Sequence, residues 1–213
     1  MVDNNLIETL KSFNRKERYH LVKQILGLGE FRVGEGFKRM LKQCQFNLNI
    51  PENHFAAMDY HLDWIAASLI SFYKPNSIYD NKKQLITANQ EDVDFIICYL
   101  DNRIYHIVLI EAKLYARWSN SRMASKANRL KRIFGEEGND WKGVVPHFML
   151  VSPHPKPKNL KVDWPYWMLN NGEINWIELK VTENLQKVIR CNENGKPDKN
   201  GKCWKLENEH PNN

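Results

Sequence analysis

The sequence feature that most constrains the fold is a pair of strongly apolar segments, 94–100 (DFIICYL) and 104–113 (IYHIVLIEAK), with three residues between them. Both segments are rich in β-branched and aromatic residues, which favour strands. The intervening residues 101–103 (DNR) have the composition of a turn. Two strand-like runs joined by so short a turn predict a β-hairpin.

This hairpin would bring charged side chains together at its open end. If residues 102–103 form a two-residue loop, Asp94 lies opposite Glu111, and moving the loop back by one residue keeps both on one face. Lys113 lies two positions beyond Glu111 on the same strand and therefore points the same way. Asp92 has the same parity as Asp94 and is an alternative to it. The pattern thus predicts two carboxylates and one ammonium at a single strand end.

Such a cluster is suited to a divalent cation. Two carboxylates this close repel each other and do not both ionise at low cost. Mg²⁺ prefers oxygen ligands and usually needs one or two carboxylates together with water and phosphate, so Mg²⁺ is the expected ion, with Mn²⁺ as a substitute. The lysine would then orient or help to deprotonate an attacking water, and it would offset charge on a phosphate.

These residues carry a resemblance to a known family. Asp94, followed on the next strand by Glu111-Ala112-Lys113, resembles the active-site signature of the PD-(D/E)XK, or restriction-endonuclease-like, nucleases. The predicted order over residues 51–152 is also similar: helix, strand, strand with E-x-K, helix, strand. One departure is Val93, which stands where the family signature has proline. Two further stretches resemble an uncharacterised bacterial family, namely FNRKER (13–18) and AMDYHLDW (57–64).

The resemblance implies a metal-dependent nuclease that hydrolyses phosphodiester bonds of nucleic acid, with DNA as the expected substrate. Asp94 and Glu111 would bind Mg²⁺, Ala112 would contribute its backbone carbonyl, and Lys113 would assist the water. The alternative from a different class is a catalytically inactive nucleic-acid- or protein-binding module on the same scaffold. A homodimer would suit the cutting of two strands, but no sequence feature indicates one.

Three further acids are candidates for the metal shell. Glu17 either adds an acid from an N-terminal helix or closes a capping box with Asn14. Asp59 and Asp63 are four residues apart on a predicted helix, where like charges are mildly destabilising. They either complete the metal shell or pair with Lys or Arg of the first helices.

A basic helix follows the E-x-K motif. Arg122, Lys126 and Arg129 lie at i, i+4 and i+7, and we expect them on one side, opposite an apolar stripe. Arg117 precedes the helix and adds to its charge. These cations either contact the phosphates of a nucleic acid or form an ordinary solvated helix face.

Other polar residues are expected to have ordinary roles. A second E-x-K, residues 178–180, lacks a preceding hairpin and is predicted to be a solvated strand face. His106 alternates off the Glu111 face, and His147 is expected at a loop or strand edge. Trp118 either stacks on a base or packs in the core.

The overall pattern predicts an α/β fold: a central mixed sheet flanked by helices, restriction-endonuclease-like, with a helical N-terminal region and a C-terminal β-hairpin extension. We expect one nuclease-like domain over residues 1–213, comprising a helical part (1–75), an α/β catalytic core (76–152) and a β-rich extension (153–213). Outside the central hairpin, the predicted helices are 14–26, 35–45, 51–73 and 119–134, and the predicted strands are 144–152, 174–181, 185–191 and 202–206.

Bulk properties set weaker bounds. A net charge of +6 and a pI near 9.0 favour polyanionic partners only slightly. The N-terminal residues lack an apolar signal segment, and no apolar run is long enough for a membrane span, so we expect a cytoplasmic protein without a membrane partner. The four cysteines lack zinc-binding spacing. Cys191 and Cys203 could face each other across a hairpin, although reduced thiols are the expected state.

Overall fold

The chain folds into helices packed on a mixed β-sheet, followed by a separate hairpin. The computed structural model describes residues 5–43, 47–114, 116, 118–153, 156–157, 160–180 and 185–208. The helices are α1 (Leu6–Phe13), α2 (Glu17–Ile25), α3 (Glu35–Gln43), α4 (Leu62–Tyr73) and α5 (Asn120–Phe134), with a 3₁₀ turn at Tyr166–Met168. The strands are β1 (Phe55–His61), β2 (Asp92–Asp101), β3 (Ile104–Ala112), β4 (Val144–Ser152), β5 (Leu169–Asn170), β6 (Glu173–Ile174), β7 (Trp176–Glu178), β8 (Gln186–Cys191) and β9 (Cys203–Asn208).

The central hairpin forms as predicted. Asp101 pairs with Ile104, so residues 102–103 make up the two-residue loop. Both loop residues have positive φ, 48° and 67°, as a type I′ turn requires. This turn matches the right-handed twist of the strands it joins, and the register continues without a break to Phe95 opposite Ile110.

The main sheet has the strand order β1-β2-β3-β4-β7. The first three strands are antiparallel neighbours, whereas β4 and β7 run parallel to β3 and β4. The predicted α/β class with a mixed central sheet is therefore confirmed. Successive residues of the inner strands, which point to opposite faces, are both buried, and so the core lies on both sides of the sheet. Examples are Ile96, Ile97, Val108, Leu109, Phe148 and Met149.

The predicted helix over 51–73 is wrong in its first half. Residues Phe55–His61 form strand β1, which pairs with β2, and only Leu62–Tyr73 is helical. The apolar residues at 55, 58 and 62 fit a helical period, but pairing with the exposed edge of β2 provides backbone hydrogen bonds that local spacing does not reveal. This places Asp59 on a strand and Asp63 on a helix.

The helix predicted over 14–26 is found as α2 (Glu17–Ile25), and α1 (Leu6–Phe13) is an additional helix that was not predicted. α1 ends at Phe13, and Asn14 caps its C-terminus, donating its backbone N–H to the carbonyl of Lys11. α2 begins at Glu17, and its N-cap residue, Lys16, makes no side-chain capping bond. The capping box between Asn14 and Glu17 is therefore wrong. The helix expected at 35–45 is confirmed over Glu35–Gln43, and residues 44–46 lie outside the described part of the chain.

The elements after the central hairpin agree closely with the prediction. α5 ends at Phe134 and buries its predicted stripe of Met123, Ala127, Leu130 and Phe134. β4 spans Val144–Ser152, as expected. Pro146 is tolerated inside it because β7 pairs with β4 only from Leu150 onward, and the missing N–H of Pro146 thus faces an unpaired edge.

The C-terminal hairpin is also confirmed, as strands β8 and β9. Cys191 and Cys203 are cross-strand neighbours in it, and both are free thiols. The strand predicted at 174–181 is limited to short pieces, and Glu178 and Lys180 are exposed, as expected of a solvated face. Among the described residues, no helix has the length and apolar character to cross a membrane.

Candidate functional site

The structure brings the three predicted key residues together at one end of the β2–β3 hairpin. The last paired positions are Phe95 and Ile110. Asp94 directly precedes Phe95 and Glu111 directly follows Ile110, so the two acids lie opposite each other. The Lys113 ammonium lies 3.0 Å from Glu111 Oε1 and 4.0 Å from Asp94 Oδ2. The Ala112 backbone N–H donates to Asp94 Oδ2 at 2.6 Å. Each residue is therefore tied to at least one other.

The two carboxylates differ sharply in environment. The Asp94 side chain is 43% exposed, whereas that of Glu111 is 6% exposed. Burial raises the pKa of Asp94 above its ordinary value, and the nearby negative charge of Glu111 raises it further, while the Ala112 amide and the two nearby lysines oppose this. Because the site disfavours the Asp94 anion, an added cation would be stabilised there.

A second ammonium, from Lys126 of α5, contacts the other oxygen of Glu111. The Lys126 Nζ donates to Glu111 Oε2 and to the backbone carbonyl of Asp92, and it is buried. Lys113 and Lys126 therefore neutralise Glu111 from two sides. A buried carboxylate needs this kind of pairing, since an isolated charge is costly to desolvate. Sequence reasoning missed the role of Lys126.

The exposed ridge predicted for α5 is wrong. Lys126 and Arg129 are buried, and only Arg122 is exposed. Lys126 is three residues after Met123 and four before Leu130, which is the spacing of the buried stripe itself, so this signal was present in the sequence. Arg117 lies outside the described residues.

Asp63 belongs to a structural contact rather than to the candidate metal site. It accepts the backbone N–H groups of Thr87 and Ala88, at 3.1 and 2.7 Å, and it pairs with buried Arg129. Burial would raise the pKa of Asp63, but the two amides and the guanidinium together hold it below its ordinary value. Of the two predicted roles of Asp63, the structure has the ion pair. Its arginine, however, comes from α5 and not from the first helices.

Asp59, by contrast, lies beside the site. Met58 pairs with Phe95 and Tyr60 with Val93, so Asp59 occupies the position next to Asp94 on the neighbouring strand. Its φ of 50° is unusual for a residue other than glycine, and such conformations concentrate at functional sites. Its Oδ2 atom lies 2.7 Å from Arg18 of α2, so Asp59 makes the predicted alternative contact, pairing with an arginine of the first helices.

The start of α2 supplies cations to the rim of the site. Lys16 Nζ lies 2.9 Å from Asp92 Oδ2, and Arg18 pairs with Asp59. Glu17 lies between these two cations in the chain and is exposed. Asp92 is thus already paired at one oxygen, while its Oδ1 atom is buried without a hydrogen bond from the described residues. Asp94, and not Asp92, is the residue opposite Glu111.

The donor set fits Mg²⁺ in its chemistry. Asp94, Glu111 and the Ala112 carbonyl offer hard oxygen atoms. Asp92, two positions before Asp94 on β2, has a further oxygen, Oδ1, without a hydrogen-bond partner among the described residues. Within the described residues, no group of three or more His, Cys, Asp and Glu side chains is arranged to hold a metal. One or two carboxylates suffice for Mg²⁺ when water and phosphate complete the shell. Glu111 could join that shell only if an ammonium moved away from it.

Trp118 covers the lysine of the motif. Lys113 Nζ lies 5.5 Å from the centre of the Trp118 ring, within the range of a cation–π contact. Trp118 is half-buried and packs against the hydrophobic core. Core packing, one of its two predicted roles, is therefore confirmed.

The opposite face of the sheet carries a histidine pair, of which His147 is buried and His106 is half-buried. His106 is confirmed to lie off the Glu111 face, and its Nδ1 lies 3.0 Å from Nε2 of His147, with the rings stacked. Tyr99 stacks on the other side of His106. His147 is not in a loop: it is a buried residue of β4, at a point where β4 pairs with β3 alone and is the edge of the sheet, so the strand-edge alternative is the one that the structure has. Sequence periodicity did not reveal the pairing.

This pair predicts a loss of stability in acid. Burial, together with neighbouring His106, lowers the pKa of His147 to about 3, against an ordinary value of 6.5. The unfolded chain therefore binds the extra proton between these values, and the stabilisation, complete above pH 6.5, declines as the pH falls. The free energy of unfolding should fall by up to about 1.4 kcal/mol per pH unit from this one group.

Urea unfolding at pH 7 and pH 5 measures this effect. The His147→Gln variant keeps a hydrogen-bonding side chain but cannot titrate, so it should lose less stability over the same interval than the wild type. An equal loss in both proteins would contradict the assignment.

Comparisons of this chain with protein-family models, with curated proteins and with solved structures find no match.

Proposed function

We propose that the protein is a metal-dependent nuclease that hydrolyses phosphodiester bonds of nucleic acid, with DNA as the expected substrate. The observation that carries this proposal is the meeting of Asp94, Glu111 and Lys113 at the end of one hairpin, with Asp94 open to solvent. The proposal includes a restriction-endonuclease-like fold, since strand, E-x-K strand, helix and parallel strand follow one another from β2 to β4.

The chain's own residues have distinct roles in this proposal. Asp94 and the Ala112 carbonyl would hold Mg²⁺, and Glu111 would join them once one of its two ammonium partners moved away. When bound, this ion would lower the pKa of a water molecule and polarise the phosphate. Lys113 contacts Glu111 and the Trp118 ring, which place its ammonium group at the site. That ammonium orients the attacking water and stabilises the negative charge that develops on the phosphate.

Positive charge around the site favours a polyanionic substrate. Lys16 and Arg18 lie at its rim and Arg122 is exposed on α5, while the chain as a whole carries a net charge of +6. Such charges raise the local concentration of nucleic acid, and the resulting affinity falls with added salt.

A second candidate function is a catalytically inactive binding module on the same scaffold. The observation that favours it is the pairing of Glu111 with two ammonium groups, which leaves this carboxylate already neutralised. In this case the protein would bind nucleic acid or a protein and would cut nothing.

A cleavage assay with the purified full chain separates the two candidates. Plasmid DNA, linear duplex DNA, single-stranded DNA and RNA are each incubated with Mg²⁺, Mn²⁺ or EDTA. The nuclease proposal predicts cleavage of at least one substrate with Mg²⁺ or Mn²⁺ and none with EDTA. Absence of cleavage of every substrate with both metals would overturn it and leave the binding module.

A further inference from the structure

The C-terminal hairpin is a preformed element that the proposed active site does not use. We call residues 186–208 the C-terminal arm; it comprises β8, β9 and the tip between them. Within the described structure, none of its side chains belongs to the hydrophobic core cluster. The arm is held together by its own ladder and by bonds within the tip, where Asn192 donates to Lys196 and Asp198 donates to Arg190, each at 3.0 Å.

The tip is closely packed on the strands. A Cβ at Gly201 would lie 2.1 Å from the carbonyl oxygen of Cys191, so only glycine fits there. Arg190 Nε donates to the Gly201 carbonyl at 2.6 Å. The arm therefore has a defined shape without support from the core.

One face of the arm exposes a large aromatic ring. Val188 is paired with Leu206 and Arg190 with Trp204, so these four side chains share a face. Trp204 is 66% exposed, and Val188 and Leu206 are exposed beside it. Exposure of a tryptophan ring and its apolar neighbours to water is unfavourable. Such exposed aromatic residues are frequent where proteins bind a partner.

The arm also concentrates positive charge. It contains six Lys and Arg residues and three Asp and Glu residues, which is +3 of the chain's +6 in roughly a tenth of its length. Glu207 is engaged by Lys187 and Lys205. The tip lysines 196, 199 and 202 are exposed, and in the part of the chain that the structure describes no ion pair involves them. Their charge is thus free to meet an external anion.

We propose that the C-terminal arm binds single-stranded nucleic acid, with Trp204 stacked on an unpaired base and the tip lysines against phosphates. Single-stranded nucleic acid offers both unpaired bases that can stack on an aromatic ring and phosphates that attract cations. An exposed aromatic ring with unpaired lysines nearby suits both contacts. A fully paired duplex would not offer a free base to this ring. The choice of nucleic acid rests on the proposed function, and the arm adds a second contact with the same substrate.

Binding of a fluorescently labelled single-stranded oligonucleotide, measured by anisotropy in EDTA, tests the arm without any cleavage. Trp204→Ala should weaken binding by about 5- to 150-fold, because stacking on one base contributes about 1–3 kcal/mol. Tyr166→Ala is the matched control, since Tyr166 is 64% exposed but lies outside the arm, and it should bind like the wild type.

A triple variant tests the lysines. Replacing Lys196, Lys199 and Lys202 by alanine should reduce the slope of log affinity against log salt by about 0.7 for each phosphate that the arm no longer neutralises. A control with the same change of charge replaces three other exposed lysines, Lys74, Lys82 and Lys83. All arm variants should melt at the wild-type temperature, because the arm contributes nothing to the core.

The outcomes separate this inference from the proposed function. Loss of oligonucleotide binding in the arm variants supports the arm proposal, whether or not the wild type cleaves nucleic acid. Absence of cleavage by the wild type with Mg²⁺ would overturn only the nuclease proposal. The arm proposal is overturned if the arm variants bind the oligonucleotide as tightly as the wild type does. It is also overturned if the wild-type protein does not bind at low salt, even if cleavage occurs. If Trp204→Ala converts a dimer to a monomer and leaves oligonucleotide binding unchanged, the arm proposal is overturned. The arm would then bind a second copy of the chain.

Discussion

Replacing Lys113 by alanine is expected to lower the rate of metal-dependent cleavage by about 100- to 1,000-fold, the usual cost of losing one group that stabilises developing charge in a transition state. The Lys113 ammonium lies between the two carboxylates, 3.0 Å from one and 4.0 Å from the other. Single-turnover cleavage with saturating Mg²⁺ measures the effect. Binding of the same DNA in EDTA should change little, since a single charge contributes only a small part of the affinity.

The chain contains a matched control for this experiment. Lys180 is the lysine of the second E-x-K motif and is exposed two residues after the end of β7. Lys180→Ala makes the same chemical change in the same sequence pattern without a facing carboxylate strand, and it should cut at the wild-type rate. Equal rates for wild type, Lys113→Ala and Lys180→Ala would remove Lys113 from the reaction.

Replacing Arg129 by methionine is expected to reduce the free energy of unfolding by about 3–5 kcal/mol, the range observed when one partner of a buried ion pair is removed. Arg129 is buried against Asp63, and its guanidinium also donates to the backbone carbonyls of Gln84 and Leu85. Methionine restores the apolar volume but leaves a buried carboxylate without its cation and two carbonyls without a donor. Urea unfolding at pH 7 measures the loss.

Arg122→Met provides the comparison on the same helix. Arg122 is exposed, so its replacement should change the free energy of unfolding by no more than about 0.5 kcal/mol. A similar small loss for Arg129→Met would show that the Asp63 contact is not an important part of the fold.

Helix α5 connects the proposed active site with the loop that precedes β2. Its two buried cations are three residues apart: Lys126 pairs with Glu111 of β3, and Arg129 pairs with Asp63 of α4 and with the loop at 84–85. A shift of α5 would therefore disturb both acids at once. The position of Glu111 in the site depends on how this helix packs.

Some of the fold and of the candidate site followed from local sequence. The β2–β3 hairpin could be predicted because a two-residue loop sets the register, and the period of two along each strand then sets the face of every side chain. Asp94, Glu111 and Lys113 met for this reason alone. The buried stripe of α5 and the extent of β4 are equally local, since they depend on the spacing of apolar residues.

The remaining features depended on partners distant in the chain. Residues 55–61 form a strand because they pair with the free edge of β2. The spacing of apolar residues within 55–61 gives no sign of that partner. Lys126 and Arg129 turned inward because acids 15 and 66 residues away lay within the fold to receive them. The sequence by itself thus determined where the two acids and the lysine meet. Only the tertiary structure decided which other charges surround them, because the burial of a charge depends on a partner that folding brings close.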